Sequence, residues 1–289
     1  MSKDLYMPSR TKEIISKYGF RFSKSLGQNF LIDGNIITKI CEGAEITEQD
    51  GVIEVGPGIG TLTQQLSKYA KKVVAIELDT KLLPILEETL EGIDNVQVIN
   101  NDILKVDIEK LIEDEFEGLD VKVVANLPYY ITTPIIMKLL ESRLNIKSIS
   151  VMIQKEVAMR MNANPGGKDY GALSVAVQYY SDPKIIANVP SSVFIPKPNV
   201  DSAVIKLDIY KKPPVEVLDE KLMFKVVKSA FGQRRKTILN ALSGGYLDLD
   251  KETIKKVLEI AEIDPQKRGE VLSIEDFAHI SDTITKEIQ

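Results

Sequence analysis

The chain has 289 residues, 44% hydrophobic and 27% charged, with a formal net charge of −5; this is the composition of a globular protein with a full core, not of a disordered or globally basic one. One cysteine, Cys41, excludes an intrachain disulfide, and with one histidine, His279, it leaves too few soft ligands for a Cys/His zinc site and argues against Cys–His or Ser–His catalysis. No apolar run reaches membrane-spanning length and the start, Met1-Ser2-Lys3-Asp4, has no apolar signal region, so a cytoplasmic, metal-free protein is expected.

Residues 1–24 are basic, with Lys3, Arg10, Lys12, Lys17, Arg21 and Lys24 against Asp4 and Glu13, a net +4. Cys41 closes an ordinary helical run that starts at Ile36, and it reads as a core thiol. Short β-rich runs follow at 52–55, 73–78, 96–100, 121–125 and 148–153, with helical segments at 61–68, 81–90 and 134–140 between them. Such alternation predicts a parallel sheet covered by helices, with ligands at the carboxyl ends of its strands. Two later runs, 173–180 and 203–210, alternate polar and apolar residues and predict an antiparallel edge on that sheet. Between them, Pro196 and Pro198 predict a loop over 194–202. Lys211-Lys212-Pro213-Pro214 breaks the pattern and sets a boundary between domains 1–212 and 213–289. The second domain reads as all-α, with helices over 218–231, 236–242, 251–261 and 273–286. Its residues 221–236 carry Lys221, Lys225, Lys228, Arg234, Arg235 and Lys236 without an acid, a net +6. With the basic N-terminus, this run reads as an RNA footprint.

The chemistry gathers at strand ends. Strand 52–55 runs into Gly56-Pro57-Gly58-Ile59-Gly60-Thr61, where glycine permits positive φ and close approach of a ligand. Thr61 stands where a dinucleotide fingerprint has its third glycine, which disfavours NAD. The second strand ends in Glu77, placed to take ribose hydroxyls, and the third in Asn101-Asp102, where Asp102 is placed to accept from an adenine amine. Singly, these residues also fit a plain turn, a solvated carboxylate and a helix N-cap; together they describe a nucleoside cofactor.

The fourth strand ends in Asn126-Leu127-Pro128-Tyr129. An exocyclic amine on a purine is a poor nucleophile because its lone pair is delocalised into the ring. A catalyst must therefore favour the geometry in which that nitrogen turns toward sp³. The side-chain oxygen of Asn126 and the backbone carbonyl of Leu127 can each accept one N–H, Pro128 fixes the turn, and Tyr129 can stack on the ring. No strong base is needed, since the proton leaves after the methyl arrives. Adenine N6 is the expected target.

With these residues in place, the chain resembles the S-adenosylmethionine-dependent rRNA adenine-N6,N6-dimethyltransferases of the small-subunit (16S) type. The resemblance rests on Lys24-Ser25-Leu26-Gly27-Gln28-Asn29-Phe30-Leu31, Glu54-Val55-Gly56-Pro57-Gly58, Asn126-Leu127-Pro128-Tyr129-Tyr130, residues 194–202, and Ala230-Phe231-Gly232-Gln233-Arg234-Arg235-Lys236-Thr237. It implies a class I (Rossmann-like) methyltransferase fold with a helical C-terminal RNA-binding domain. By the same resemblance Asn29 and Leu31 contact S-adenosyl-L-methionine, Gly56 passes near its methionine part, Glu77 holds its ribose and Asp102 its adenine. Asn126 lies beside both cofactor and target amine, and Phe194 stacks on the target base opposite Tyr129. The implied substrate is a pair of adjacent adenosines in a hairpin loop near the 3′ end of 16S rRNA, met in the small subunit or its precursor by a monomeric enzyme. The rivals are a large-subunit rRNA adenine methyltransferase, an N-methyltransferase acting on a protein or small molecule, and a non-catalytic ribosome-assembly factor.

Overall fold

The computed structural model describes residues 4–23 and 26–288; Lys3 and Lys24 of the basic N-terminal run, and Ser25 of the first motif, lie outside the described residues. In chain order the strands are β1 (Phe30–Leu31), β2 (Asp50–Val55), β3 (Lys72–Glu77), β4 (Val96–Asn100), β5 (Asp120–Asn126), β6 (Ile146–Gln154), β7 (Ser181–Val189), β8 (Phe194–Ile195) and β9 (Ser202–Ile209). Seven of them form one sheet in the order β4-β3-β2-β5-β6-β9-β7. Strands β2 to β6 run parallel, and β9 pairs antiparallel to β6. This is the mostly parallel α/β sheet with an antiparallel edge that the alternation predicts. Every residue of β2 is buried, as expected of an interior parallel strand.

The strand order decides where the site lies. From β2 the chain steps outward to β3 and β4, then returns to the other flank of β2 as β5 and continues to β6. Order reverses between β2 and β5, and crevices in open α/β sheets form at the carboxyl ends on either side of such a reversal. Gly56 follows β2 and Asn126 ends β5, so both motifs sit at that point.

Aspartates start the helices Gly34–Gly43, Ile108–Glu115, Glu220–Gly232 and Lys251–Ile260, each accepting a backbone N–H from the first turn. On the sheet, Val52, Val73, Val124 and Met152 form one cluster with Ile36, Ile37, Ile40 and Cys41 of the first of these helices. Cys41 is buried there, and burial pushes its thiol up to about 12. Among the described residues no helix is long and apolar enough to cross a membrane.

Some elements differ from expectation. Residues 173–180 form a helix, Ala172–Tyr180, and the edge strand is the next segment, β7. The apolar positions of this run serve both periods, and local bonds settle the matter. The Ser174 hydroxyl accepts the Gly171 N–H, and Gln178 Nε2 reaches the carbonyls of Met161 and Ala163. After the glycine loop, regular helix covers only Thr63–Leu66, continued on both sides by turns. Residues 194 and 195, read as loop, pair as β8 with β1, matching Phe30 to Ile195 and Leu31 to Phe194 before the prolines end the strand.

Contacts divide the chain into two units, Met1–Ala158 with Asp182–Ile209, and Met159–Ser181 with Tyr210–Gln289. A single boundary at 212 leaves residues 159–181 with the sheet, whereas their bonds tie them to the C-terminal helices. Tyr170 Oη donates to the Leu272 carbonyl, Gly166 N to that of Glu270, and Tyr180 Oη to Glu220. The second unit is helical, with Glu220–Gly232, Ile238–Ser243, Lys251–Ile260 and Ile274–Ile288 as its main elements. Phe277 and Tyr170 are fully buried in it.

Candidate active site at the strand ends

One cavity is lined by residues from every strand end singled out in the sequence. They include Gly56 and Gly58 after β2, Glu77 at the end of β3, Asp102 after β4, Asn126, Leu127 and Tyr129 after β5, and Asn29 and Leu31 from the N-terminal segment.

The glycine loop adopts left-handed backbone, with φ of +68° at Gly56 and +63° at Gly58. At Gly56 a Cβ would meet nothing within 4 Å among the described residues, whereas at Gly58 it would stand 3.1 Å from the Phe30 ring. Gly58 N–H donates to Glu77 Oε2 (3.2 Å) and Asp79 N–H to Glu77 Oε1 (2.7 Å). These bonds orient the Glu77 carboxylate and favour its charged form, while burial works against them and raises its pKa overall. Four lone-pair sites minus two leave it able to accept further hydroxyls. Asp102 keeps one oxygen on the Leu104 N–H in a turn, and its other oxygen lies 4.0 Å from the Lys105 ammonium.

Asn126 and Asn29, 97 residues apart, touch directly: Asn126 Nδ2 donates to the Asn29 carbonyl at 3.0 Å. The side chain of Asn29 turns back to the Gly27 carbonyl. With its nitrogen so committed, the Asn126 amide offers Oδ1 as an acceptor. Among the described residues neither that oxygen nor the Leu127 carbonyl accepts a hydrogen bond, while Leu127 N–H is held by Met152 O at 3.1 Å. The Pro128 carbonyl accepts from Ile131 N and Thr132 Oγ1, which closes the turn. Tyr129 is half-buried, its hydroxyl 2.6 Å from Ser202 Oγ, and burial raises its pKa.

Phe194 is placed differently from expectation. It is 3% exposed, packs in the core cluster with Leu31, and is not among the cavity-lining residues. Its backbone pairs with Leu31, a member of the same core cluster. In this structure Phe194 belongs to the core cluster and not to the cavity wall on which Tyr129 lies.

Two polar residues at the cavity escaped the sequence reading. Gln28 bridges the N-terminal segment to the site: its Nε2 donates to Asp79 Oδ2 (2.7 Å) and its Oε1 accepts the Ser23 N–H. Nothing in the sequence marks that contact. Glu54 lines the cavity at 1% exposure with its Oε2 unpartnered among the described residues, and burial raises its carboxyl to about 8. An acid inside the apolar run Val52-Ile53-Glu54-Val55 was the available signal.

Residues 19–286 match the family model described as ribosomal RNA adenine dimethylase. Over 281 residues the chain is 60% identical to the ribosomal RNA small subunit methyltransferase A of Alkaliphilus metalliredigens, covering 97% of this chain and 96% of that one. A protein of the same name from Clostridioides difficile is 59% identical, covering 96% of each chain. Among solved structures, a dimethyladenosine transferase from Plasmodium falciparum superposes with a TM-score of 0.74 at 29% identity, over 89% of this chain and 98% of that one. A 23S rRNA methyltransferase, ErmE, superposes with a TM-score of 0.67 at 26% identity, over 89% and 100%.

Proposed function

Because the chain belongs to the ribosomal RNA adenine dimethylase family, we propose that it methylates N6 of two adjacent adenosines in a hairpin loop near the 3′ end of 16S rRNA, each receiving two methyl groups from S-adenosylmethionine. The observation that carries this reading is the Asn126 amide, fixed through its nitrogen by Asn29 with its oxygen left to accept, across the sheet's reversal point from the glycine loop.

The residues present fit the cofactor. Glycines at positive φ let the backbone approach it, Glu77 retains acceptor capacity for ribose hydroxyls, and Asp102 does so for an adenine amine. Asn29 and Leu31 would close the cavity from the N-terminal side. When bound, S-adenosylmethionine supplies an electrophilic methyl group on a sulfonium centre.

The protein's own part is to present the amine. Asn126 Oδ1 and the Leu127 carbonyl accept the two N–H bonds of N6 and so favour the pyramidal nitrogen whose lone pair can attack. Tyr129, held by Ser202, stacks on the base, which has to leave its own stack to reach the cavity. The amine loses its proton to solvent after transfer, so no side-chain base is required. The Phe194 ring supports the wall from the core behind Leu31. The second unit, with its basic run, binds rRNA in the small subunit or its precursor, and the enzyme works as a cytoplasmic monomer.

The 23S reading has less support, since the 23S enzyme shares 26% identity with this chain against 60% for a small-subunit relative. The test is to incubate the protein with labelled S-adenosylmethionine and unmodified small or large subunits, then digest the RNA. Label in N6,N6-dimethyladenosine from small subunits is the expected result. Label confined to large subunits, or none, overturns the proposal.

A further inference from the structure

Glu54 has no part in the scheme above, yet it is the most deeply placed charge-bearing side chain on the cavity wall. It lies in β2 on the sheet face shared with Val52, at the same level as Ala75 of β3 and Val124 of β5. Its residue is 1% exposed and, among the described residues, its Oε2 has no hydrogen-bond partner, nor does Thr61 Oγ1 on the same cavity. Two residues on, at the strand end on the same cavity, a Cβ built at Gly56 would meet nothing within 4 Å among the described residues.

Buried polar atoms are nearly always paired, and an unpartnered carboxyl oxygen on a cavity wall is a receptor for N–H donors and positive charge. The groups facing Glu54 sharpen this. Glu77 at the end of β3 disfavours a second negative charge beside it, and Cys41, from the helix Gly34–Gly43, is a neutral thiol that Glu42 and Lys68 also influence. The Thr63 hydroxyl tempers the shift without a hydrogen bond of good geometry, and the level neighbours on β3 and β5 are apolar. Of the two carboxyls, Glu77 is the one built to be charged, because it accepts two backbone N–H groups. Glu54 accepts none from the backbone among the described residues, so the proton of the pair resides there.

Resting on the reading that this cavity takes S-adenosylmethionine, we propose that Glu54 is its proton-linked counter-ion: neutral in the free protein, it releases its proton to solvent as the positively charged end of the cofactor binds, and pairs with that charge as a carboxylate. Below the pKa of the free carboxyl only the ionised fraction is competent, so affinity weakens as pH falls, by up to about tenfold per unit. Above about pH 8 the dependence flattens, because the carboxyl is already ionised.

Calorimetry of S-adenosylmethionine binding to the full chain, in buffers of differing ionisation enthalpy and from pH 6 to 9, tests this. At pH 7 the wild-type protein should release close to one proton per cofactor bound through this group, and its affinity should climb toward pH 8. In Glu54→Gln, which keeps shape without a titrating proton, that release and the matching part of the pH slope should vanish. Equal release by wild-type and Glu54→Gln overturns the proposal while leaving the cofactor assignment intact. Should the variant fail to fold, absence of proton release from the wild-type protein overturns it equally. No binding at any pH overturns the cofactor reading together with this one.

Discussion

At the scale of single residues, the amide of Asn126 makes two distinguishable commitments. Asn126→Ala removes the acceptor while leaving a half-buried position, so methylation should fall on the order of a hundredfold or more with little change in thermal stability; steady-state kinetics beside a melting curve measure both. Asn126→Asp is instructive because a carboxylate cannot donate to the Asn29 carbonyl, and it should lose the N-terminal contact as well. Tyr129→Ala should cost about 1–3 kcal/mol of substrate binding and Tyr129→Phe much less, since stacking needs the ring more than the hydroxyl. Phe194→Ala should instead cost about 3–5 kcal/mol of stability with kinetics per folded molecule unchanged, the signature of a core ring. Glu54 gives a pH signature. Its folded pKa, about 8, lies above its ordinary 4.5, so the folded state binds the extra proton and stability is lost as pH rises from 4.5 toward 8. Glu54→Gln should remove that loss and gain on the order of a few kcal/mol at pH 8.5 but little at pH 5, as denaturant titrations at the two pH values would reveal.

At the scale of elements, the site depends on short segments held by a long sheet. Gly58→Ala would force a side chain into left-handed backbone and against the Phe30 ring, so it should cost about 1–2 kcal/mol in backbone strain and weaken cofactor binding further through Glu77. Gly56→Ala carries the backbone strain without the contact, and titrating both variants with cofactor separates the two causes. The five parallel strands were legible because each is a run of β-branched residues between turn signals, and four of the site's residues follow directly from where those runs stop. The edge was harder. The segment 172–180 satisfies helical and strand periods at once, and β7 contains Asp182, Pro183 and Lys184, which disguise a strand. The pair β1 and β8 spans two residues each, too short for any periodicity to decide between a core ring and a stacking ring at Phe194; the residues alone allow both, and the resemblance pointed to the second. Glu54 was legible as an anomaly, but its loneliness depends on what the folded neighbours do not offer.

At the scale of the molecule, a net charge of −5 conceals a basic segment in the helical unit, where Arg235 and Lys236 are exposed while Arg234 donates to the carbonyls of Lys168 and Tyr170. Replacing Arg235 and Lys236 by Ala should weaken subunit binding and reduce its salt slope by up to about one unit per lost phosphate contact, with cofactor affinity unchanged. Arg234→Ala should in addition lower stability, since two carbonyls lose their donor. What joins these scales is the claim that Asn126, fixed at the sheet's reversal point, presents an adenine of small-subunit rRNA for methylation. Reverse transcription across both rRNAs after reaction with the wild-type and Asn126→Ala proteins tests it most directly, because a doubly methylated N6 blocks base pairing. Stops at two adjacent adenosines near the 3′ end of 16S rRNA are expected with the wild-type protein and none with the variant. Stops on 23S rRNA, or stops undiminished in Asn126→Ala, would contradict it.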